Sequence, residues 1–181
     1  MIIIGLYKEI YEVSKFVRKH PGEGIADTFL STYNYKECTE DFERFHFTNE
    51  ADEILINAKE NGFDEETGIY YVCPFFFKRK IPKYFYFLPE DKYGIEFMKD
   101  KENNTFILRP SNSDKKNSLS LTYKTDDSEL CQLKIRKTDD NIWYTIWENE
   151  DGETEDIKDK TIEGVIKKVM LDNDYVGISP R

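Results

Sequence analysis

The chain has 181 residues, enough for one large domain or two small ones, and its 39% hydrophobic and 15% aromatic content can build a packed core. Its 26 Lys/Arg against 36 Asp/Glu leave a formal net charge of −10, which argues against nucleic acid as a general partner. Three cysteines, Cys38, Cys73 and Cys131, have no metal-ligand spacing, and their odd number argues against a secreted disulfide framework. Only Met1 to Leu6 of "MIIIGLYKEI" are apolar, too short for a signal-peptide core or a membrane span, so a cytoplasmic protein with no membrane span is expected.

Two short apolar runs, Ile2 to Leu6 and Glu9 to Val13, predict strands. The period then lengthens, and helices are predicted at Gly24 to Tyr33, Thr39 to Phe45 and Asn49 to Asn61. The aromatic, proline-punctuated "GIYYVCPFFFKRKIPK" reads as a connection with an edge strand. Beyond it come a strand at Lys83 to Leu88 and a helix with Pro89 in its first turn, running to about Asp100. Strands follow at Thr105 to Arg109, Ser118 to Lys124, Leu130 to Lys137 and Trp143 to Glu148, then a helix near Thr161 to Leu171. The acidic "ENEDGETEDIKDK" before that helix reads as a loop.

The pattern is α+β in two small domains, 1–78 and 79–181, the second an antiparallel sheet flanked by two helices. Charge supports the boundary. Residues 1–78 carry 8 Lys/Arg and 15 Asp/Glu, whereas the remainder carries 18 and 21, with seven acids concentrated in Glu148 to Asp159. Outside that cluster, the second half is basic.

One residue breaks the apolar pattern of that half. In "TFILRPSNSDKKNSLSLTYK", strand alternation puts Arg109 on the same face as Ile107. If Ile107 points into a core, the guanidinium goes with it, and a buried charge needs an anion. No acid stands within four residues of Arg109, and a hydroxyl- and amide-rich turn follows, Ser111-Asn112-Ser113. A socket for an anion from outside is one reading. Pairing with an acid from elsewhere in the fold is the other.

The arginine strand, the serine turn and the "LSL" strand, in that order, resemble the signature of the Src-homology-2 family; "LKIRK" is similar to its fourth strand and "TIEGVIKKVM" to its final helix. The resemblance covers roughly residues 83–175. It implies recognition of a tyrosine-phosphorylated protein or peptide through Arg109, Ser111, Asn112, Ser113, Ser118 and Lys134. Two departures stand out. Gln132 occupies a place where the family usually has histidine. Near the start of the first helix, where a second arginine often stands, the chain has Glu90, Asp91 and Lys92, so Lys92 is the candidate second basic contact.

The first half contains the only two histidines, His20 and His46. "IYEVSKFVRKHPGEGIADTFL" followed by "CTEDFERFHFTNEADEIL" resembles the haem-binding core of cytochrome b5, truncated at its N-terminus: the family's opening strand and helix have no counterpart. The resemblance implies non-covalent haem b with His20 and His46 as axial ligands of the iron, apolar walls from Phe16, Phe29, Leu30, Phe42, Phe45 and Ile54, and Gly22 at the porphyrin edge. The second glycine of the family's turn is replaced by Glu23, and the segment Ile69 to Val72 is a candidate stand-in for the missing strand.

No nucleophile–base pair, phosphate loop or kinase motif is present, so a binding protein rather than an enzyme is expected. Two roles stay open. One is a phosphotyrosine-binding signalling or adaptor module with a haem-carrying companion. The other is a b-type electron-transfer protein, serving a redox partner, that its second half addresses to phosphorylated proteins.

Overall fold

The computed structural model describes residues 1–21, 24–74, 77, 80–88, 90–111, 118–148 and 151–179. The chain is mixed α+β and divides into two compact units, Met1–Pro82 and Lys83–Arg181, each with its own sheet.

In the first unit, strands β1 (Ile3–Leu6) and β2 (Glu9–Glu12) form a hairpin whose turn residues Tyr7 and Lys8 both have positive φ. That backbone matches the twist of the flanking strands. One turn of helix, α1 (Ser14–Val17), precedes His20. Helix α2 (Ile25–Thr28) runs into a π-helical turn, Phe29–Tyr33, and a two-residue strand β3 (Lys36–Glu37) follows. Helices α3 (Thr39–Phe45) and α4 (Asn49–Asn61) stand as expected, and α4 ends on Gly62 in the left-handed conformation. Strand β4 (Tyr70–Pro74) completes the sheet, in the order β3-β1-β2-β4. The Ile69 to Val72 segment therefore enters the sheet beside β2. Ile2, Ile4, Leu6, Tyr11, Val13, Val17, Leu55 and Ala58 are buried in one core, with Phe16, Phe29, Phe42 and Ile54 packed on its margin.

The second unit is built on a six-stranded sheet: β5 (Thr105–Pro110), β6 (Ser118–Lys124), β7 (Leu130–Lys137), β8 (Trp143–Glu148), β9 (Thr154–Asp159) and β10 (Val176–Gly177), in the order β10-β5-β6-β7-β8-β9. Helix α5 (Asp91–Met98) packs against β5, β6 and β7. Helix α6 (Ile162–Ile166) continues as a π-helical turn, Lys167–Leu171, and packs against β8 and β9. Its start is capped by the Thr161 hydroxyl, which accepts from the Gly164 N–H at 3.1 Å.

Two expectations are corrected. Residues Lys83 to Leu88 make no strand; Phe85 forms an isolated parallel bridge to Leu108, with Tyr86 N–H donating to the Leu108 carbonyl at 2.7 Å. The Leu108 N–H in turn donates to the Tyr84 carbonyl at 2.9 Å, and Lys83 and Tyr84 lie in a turn. The acidic segment is only partly a loop: residues 149 and 150 lie outside the described residues, and 151–153 form a turn. Its C-terminal part is β9, an edge strand paired along its length with β8, and only Ile157 of its side chains is buried. Solvation of the acids and pairing of the backbone are compatible because an edge strand leaves one side open to water.

Helix α5 lies directly on the sheet. A Cβ added to Gly94 would stand 2.8 Å from the Nε of Arg109 and 3.0 Å from the Thr122 hydroxyl oxygen, and neither neighbour is a free side-chain end. Alanine would raise the intrinsic helix stability by about 1 kcal/mol, but overpacking a buried contact costs about 1–3 kcal/mol. Gly94→Ala should therefore be neutral to destabilising by about 2 kcal/mol in chemical denaturation. Clear stabilisation would mean that the helix does not sit this close to Arg109.

Candidate functional site

The first candidate site grows from strand register. Arg109 of β5 lies opposite Ser120 of β6, which lies opposite Lys134 of β7; the neighbouring rows are Ile107, Thr122, Gln132 and, beyond the end of β5, Ser118 with Arg136. These side chains share one face. By the same alternation and register, this face of β5, β6 and β7 carries Arg109, Lys124, Lys134 and Arg136 and no acid. Helix α5 covers it, tied at its first residue by Gln132 Nε2 donating to the Asp91 carbonyl at 3.2 Å.

Arg109 is 0% exposed and is the largest fully buried side chain among the described residues. Its Nε donates to the Thr122 hydroxyl at 3.1 Å, one terminal nitrogen to the Pro110 carbonyl at 3.1 Å, and the other to the Ser120 hydroxyl at 3.1 Å. That last nitrogen also donates to Oδ1 of Asp91, forming an ion pair with a side chain that is 56% exposed. The inward turn of Arg109 is as the alternation predicts. Its anion, however, comes from within the fold, 18 residues upstream, in the first turn of α5.

The other expected residues fall unevenly around it. Ser111 and Ser118 are buried at the strand ends that flank residues 112–117; Asn112 and Ser113 lie outside the described residues. Lys134 is half-buried on the Arg109 face. Lys92 is not brought to Arg109: its ammonium pairs with Glu90 at 2.8 Å and sits 4.8 Å from the Tyr93 ring centre, on the surface. Helical geometry explains the difference, because neighbouring residues diverge around the axis and Asp91 takes the face that meets the sheet. Ser120, Thr122, Gly94 and Asp91 complete the site, and sequence reasoning passed over them. The Ser118-Ser120-Thr122 alternation was the available signal for two of them.

The second candidate site is in the first unit. His20 follows α1, and His46 is the residue that ends α3. Their ring centroids lie 5.9 Å apart with the ring planes nearly perpendicular, at 88°. Two imidazoles bonded through one nitrogen each to opposite sides of a metal, at about 2.1 Å per bond, would put their centroids about 6.5 Å apart, slightly wider than this pair. Nδ1 of His46 lies 2.9 Å from the Phe42 carbonyl. A carbonyl only accepts, so Nδ1 carries the proton and Nε2 keeps the lone pair, the arrangement a metal-bound histidine needs. The His46 ring also stacks on Phe42, with centroids 4.4 Å apart.

Phe16 and Phe29 flank His20 at 5.3 and 6.0 Å. Of the other expected wall residues, Phe42 and Ile54 are partly buried on the core, whereas Leu30 and Phe45 are exposed, as is Phe47 at 87%. The only two histidines thus stand beside apolar side chains open to solvent, and these residues fit a flat apolar group held by two imidazoles. Cys38 is no competing ligand: burial pushes its thiol up to about 12, and it donates to the Gly5 carbonyl at 3.4 Å. Gly22 and Glu23 lie outside the described residues. Among the described residues no set of three or more His, Cys, Asp and Glu is placed to hold a metal ion, and no helix is long and apolar enough to cross a membrane.

Burial, and then the neighbouring His46, hold the His20 imidazole below its ordinary value. The folded first unit therefore binds fewer protons at His20 than the unfolded chain does. Its contribution is fully present above the unfolded value near 6.5 and is lost as pH falls through the lower folded value. The melting temperature of the first unit should fall between pH 7.5 and pH 5, and His46→Asn, which removes the second imidazole, should flatten that slope. A slope unchanged in His46→Asn would show that the two rings do not influence each other.

A search of family models finds none that matches the chain, and a comparison with curated proteins finds no significant match.

Proposed function

We propose that the second unit binds a phosphorylated tyrosine side chain at Arg109, and that the chain acts as a phosphotyrosine-reading adaptor in signalling. The observation that carries this reading is the buried, four-partnered guanidinium beneath a half-exposed carboxylate, on a face of β5, β6 and β7 that carries no acid. Three of its partners are fixed in the sheet and hold the planar fork in one orientation. Its outward nitrogen addresses the position where an anion meets solvent. A guanidinium can grip two phosphate oxygens at once, Ser120 supplies a further donor, and Lys134 and Arg136 add positive charge on the same face. Only a phosphate carried on a long, rigid stem reaches a cation with no exposed surface, which favours an aryl phosphate over a serine phosphate.

The first unit is assigned a haem, held by His20 and His46 between Phe16, Phe29 and Phe42. When bound, that group supplies one-electron chemistry. The protein's own part is to hold the His20 imidazole below its ordinary value, to fix the His46 ring through the Phe42 carbonyl and to exclude water with its phenyl rings.

Calorimetric titration with a phosphotyrosine peptide should give saturable binding that the unphosphorylated peptide lacks. Arg109→Ala should lose it, since removing one partner of a desolvated charge pair costs about 2–5 kcal/mol. Arg109→Lys should recover only part, because the two-pronged geometry is gone. Wild-type-like binding by Arg109→Ala would refute the assignment.

For the first unit, adding haem to the whole protein should produce the low-spin absorption spectrum of a two-histidine complex. His20→Ala and His46→Ala should each abolish it and leave the phosphotyrosine titration unchanged. A free-haem spectrum from the wild type would remove the haem assignment.

A further inference from the structure

We infer that Asp91 is a built-in competitor of the phosphate: its carboxylate occupies Arg109 in the resting protein, and ligand binding consists of exchanging one anion for the other. The inference rests on the phosphate reading of Arg109 and concerns how that site is regulated. Of the four acceptors around the guanidinium, Thr122 and Ser120 sit inside β6 and the Pro110 carbonyl belongs to the backbone of β5. None can leave without breaking the sheet. Asp91 is the only one that is charged and the only one more than half exposed.

The geometry also says how the exchange proceeds. The backbone at Asp91 is fixed to β7 through Gln132, and Gly94 one turn later lies against the Nε edge of the guanidinium. Helix α5 therefore shields one side of Arg109 and cannot lift away cheaply. The Asp91 side chain can instead rotate outward about its own bonds while the helix stays in place, and this uncovers the nitrogen that it occupied. The Ser120 hydroxyl, already bonded to that nitrogen, remains as part of the vacated position.

The exchange sets a threshold on the ligand. An incoming group must offer Arg109 more than a single carboxylate does, or it gains nothing. A dianionic phosphate, with three oxygens for the guanidinium fork, the Ser120 hydroxyl and the nearby lysine, exceeds it. A glutamate or aspartate of a passing peptide is the same anion as Asp91, lacks the advantage of being attached, and is excluded. Asp91 thereby turns a general anion socket into one that rejects acidic peptides.

Two measurements on Asp91→Asn test this. Without ligand its melting temperature should fall below that of the wild type, because the buried guanidinium loses its counterion. With a phosphotyrosine peptide its affinity should rise severalfold, up to about fivefold, the scale of a partly exposed ion pair that no longer has to be broken. It should also begin to bind a matched peptide with glutamate in place of phosphotyrosine, which the wild type does not. If Asp91→Asn does not fold alone, Asp91→Ser is taken through the same measurements.

An unchanged melting temperature, or a phosphopeptide affinity no greater than that of the wild type, overturns the competitor role while leaving the phosphate site standing. Absence of phosphopeptide binding by wild type and both variants overturns the phosphate assignment itself, and this inference with it.

Discussion

A guanidinium with no exposed surface organises the second unit. Burying a charge is tolerable only when every donor is met and a counterion is close, and each neighbour of Arg109 follows from that demand. The strand that pairs with β5 presents hydroxyls, Ser120 and Thr122, at the two positions within reach, where an apolar strand would present Val or Ile. The helix that covers it has glycine at the point of closest approach, because any Cβ there would collide with Nε. The same helix begins with the acid that balances the charge. An apolar core would need none of these choices. Their concurrence around one side chain is why the site is read as functional rather than as a repair of an awkward residue, since replacing such an ion pair with well-packed apolar groups is often neutral or stabilising.

How much of this was legible in the sequence divides along a physical line. Period-two alternation placed Arg109 beside Ile107 and hence inward, because that step depends only on local strand geometry. The strands from Ser118 to Glu148 and the helices α3 and α4 were readable for the same reason. The partner of Arg109 was not. Asp91 lies 18 residues upstream on another element, and choosing it over Lys92 requires the rotation of a helix on a sheet, a tertiary quantity. The search for an acid within four residues of Arg109 was a search along the chain, and the answer lay across the fold. Strand β9 was missed for a related reason. Its acids read as solvated loop, but pairing with β8 comes from the backbone and asks little of side chains that face water.

The histidine pair in the first unit shows the opposite balance. Nothing local marks His20 or His46 as partners; only their being the sole histidines and the resemblance of their surroundings link them in the sequence. The fold then sets their rings 5.9 Å apart, with the tautomer of one fixed by the carbonyl a helical turn earlier. Closing a helix on a residue whose ring reaches back to the same carbonyl that its N–H already uses makes His46 stiff. A stiff imidazole beside open apolar surface would suit a rigid flat group better than a flexible one. The exposed Phe45 and Phe47 on either side of His46 fit that account, whereas a histidine serving only the core would leave them unexplained.

Net charge is a poor guide to either site, and the sheet of the second unit shows why. At one edge, β9 carries Glu155, Asp156 and Asp159 in a strand that is almost wholly exposed; at the other, β10 is only two residues long. Both are ways of discouraging another chain from pairing with an open edge, one by charge and one by brevity. The acids that make the second unit negative therefore act at the boundary of its sheet, where water screens them within about 10 Å. Four strands inward from β9, the same sheet holds Arg109 out of water, where a charge is screened far less and its partners decide its energy. An anionic ligand approaching this chain would meet a field set by the nearest side chains and not by the sum over the molecule. A protein of net charge −10 can thus hold a cation suited to a dianion, provided that the cation is buried among hydroxyls and the surplus acids of its own unit are kept at the rim.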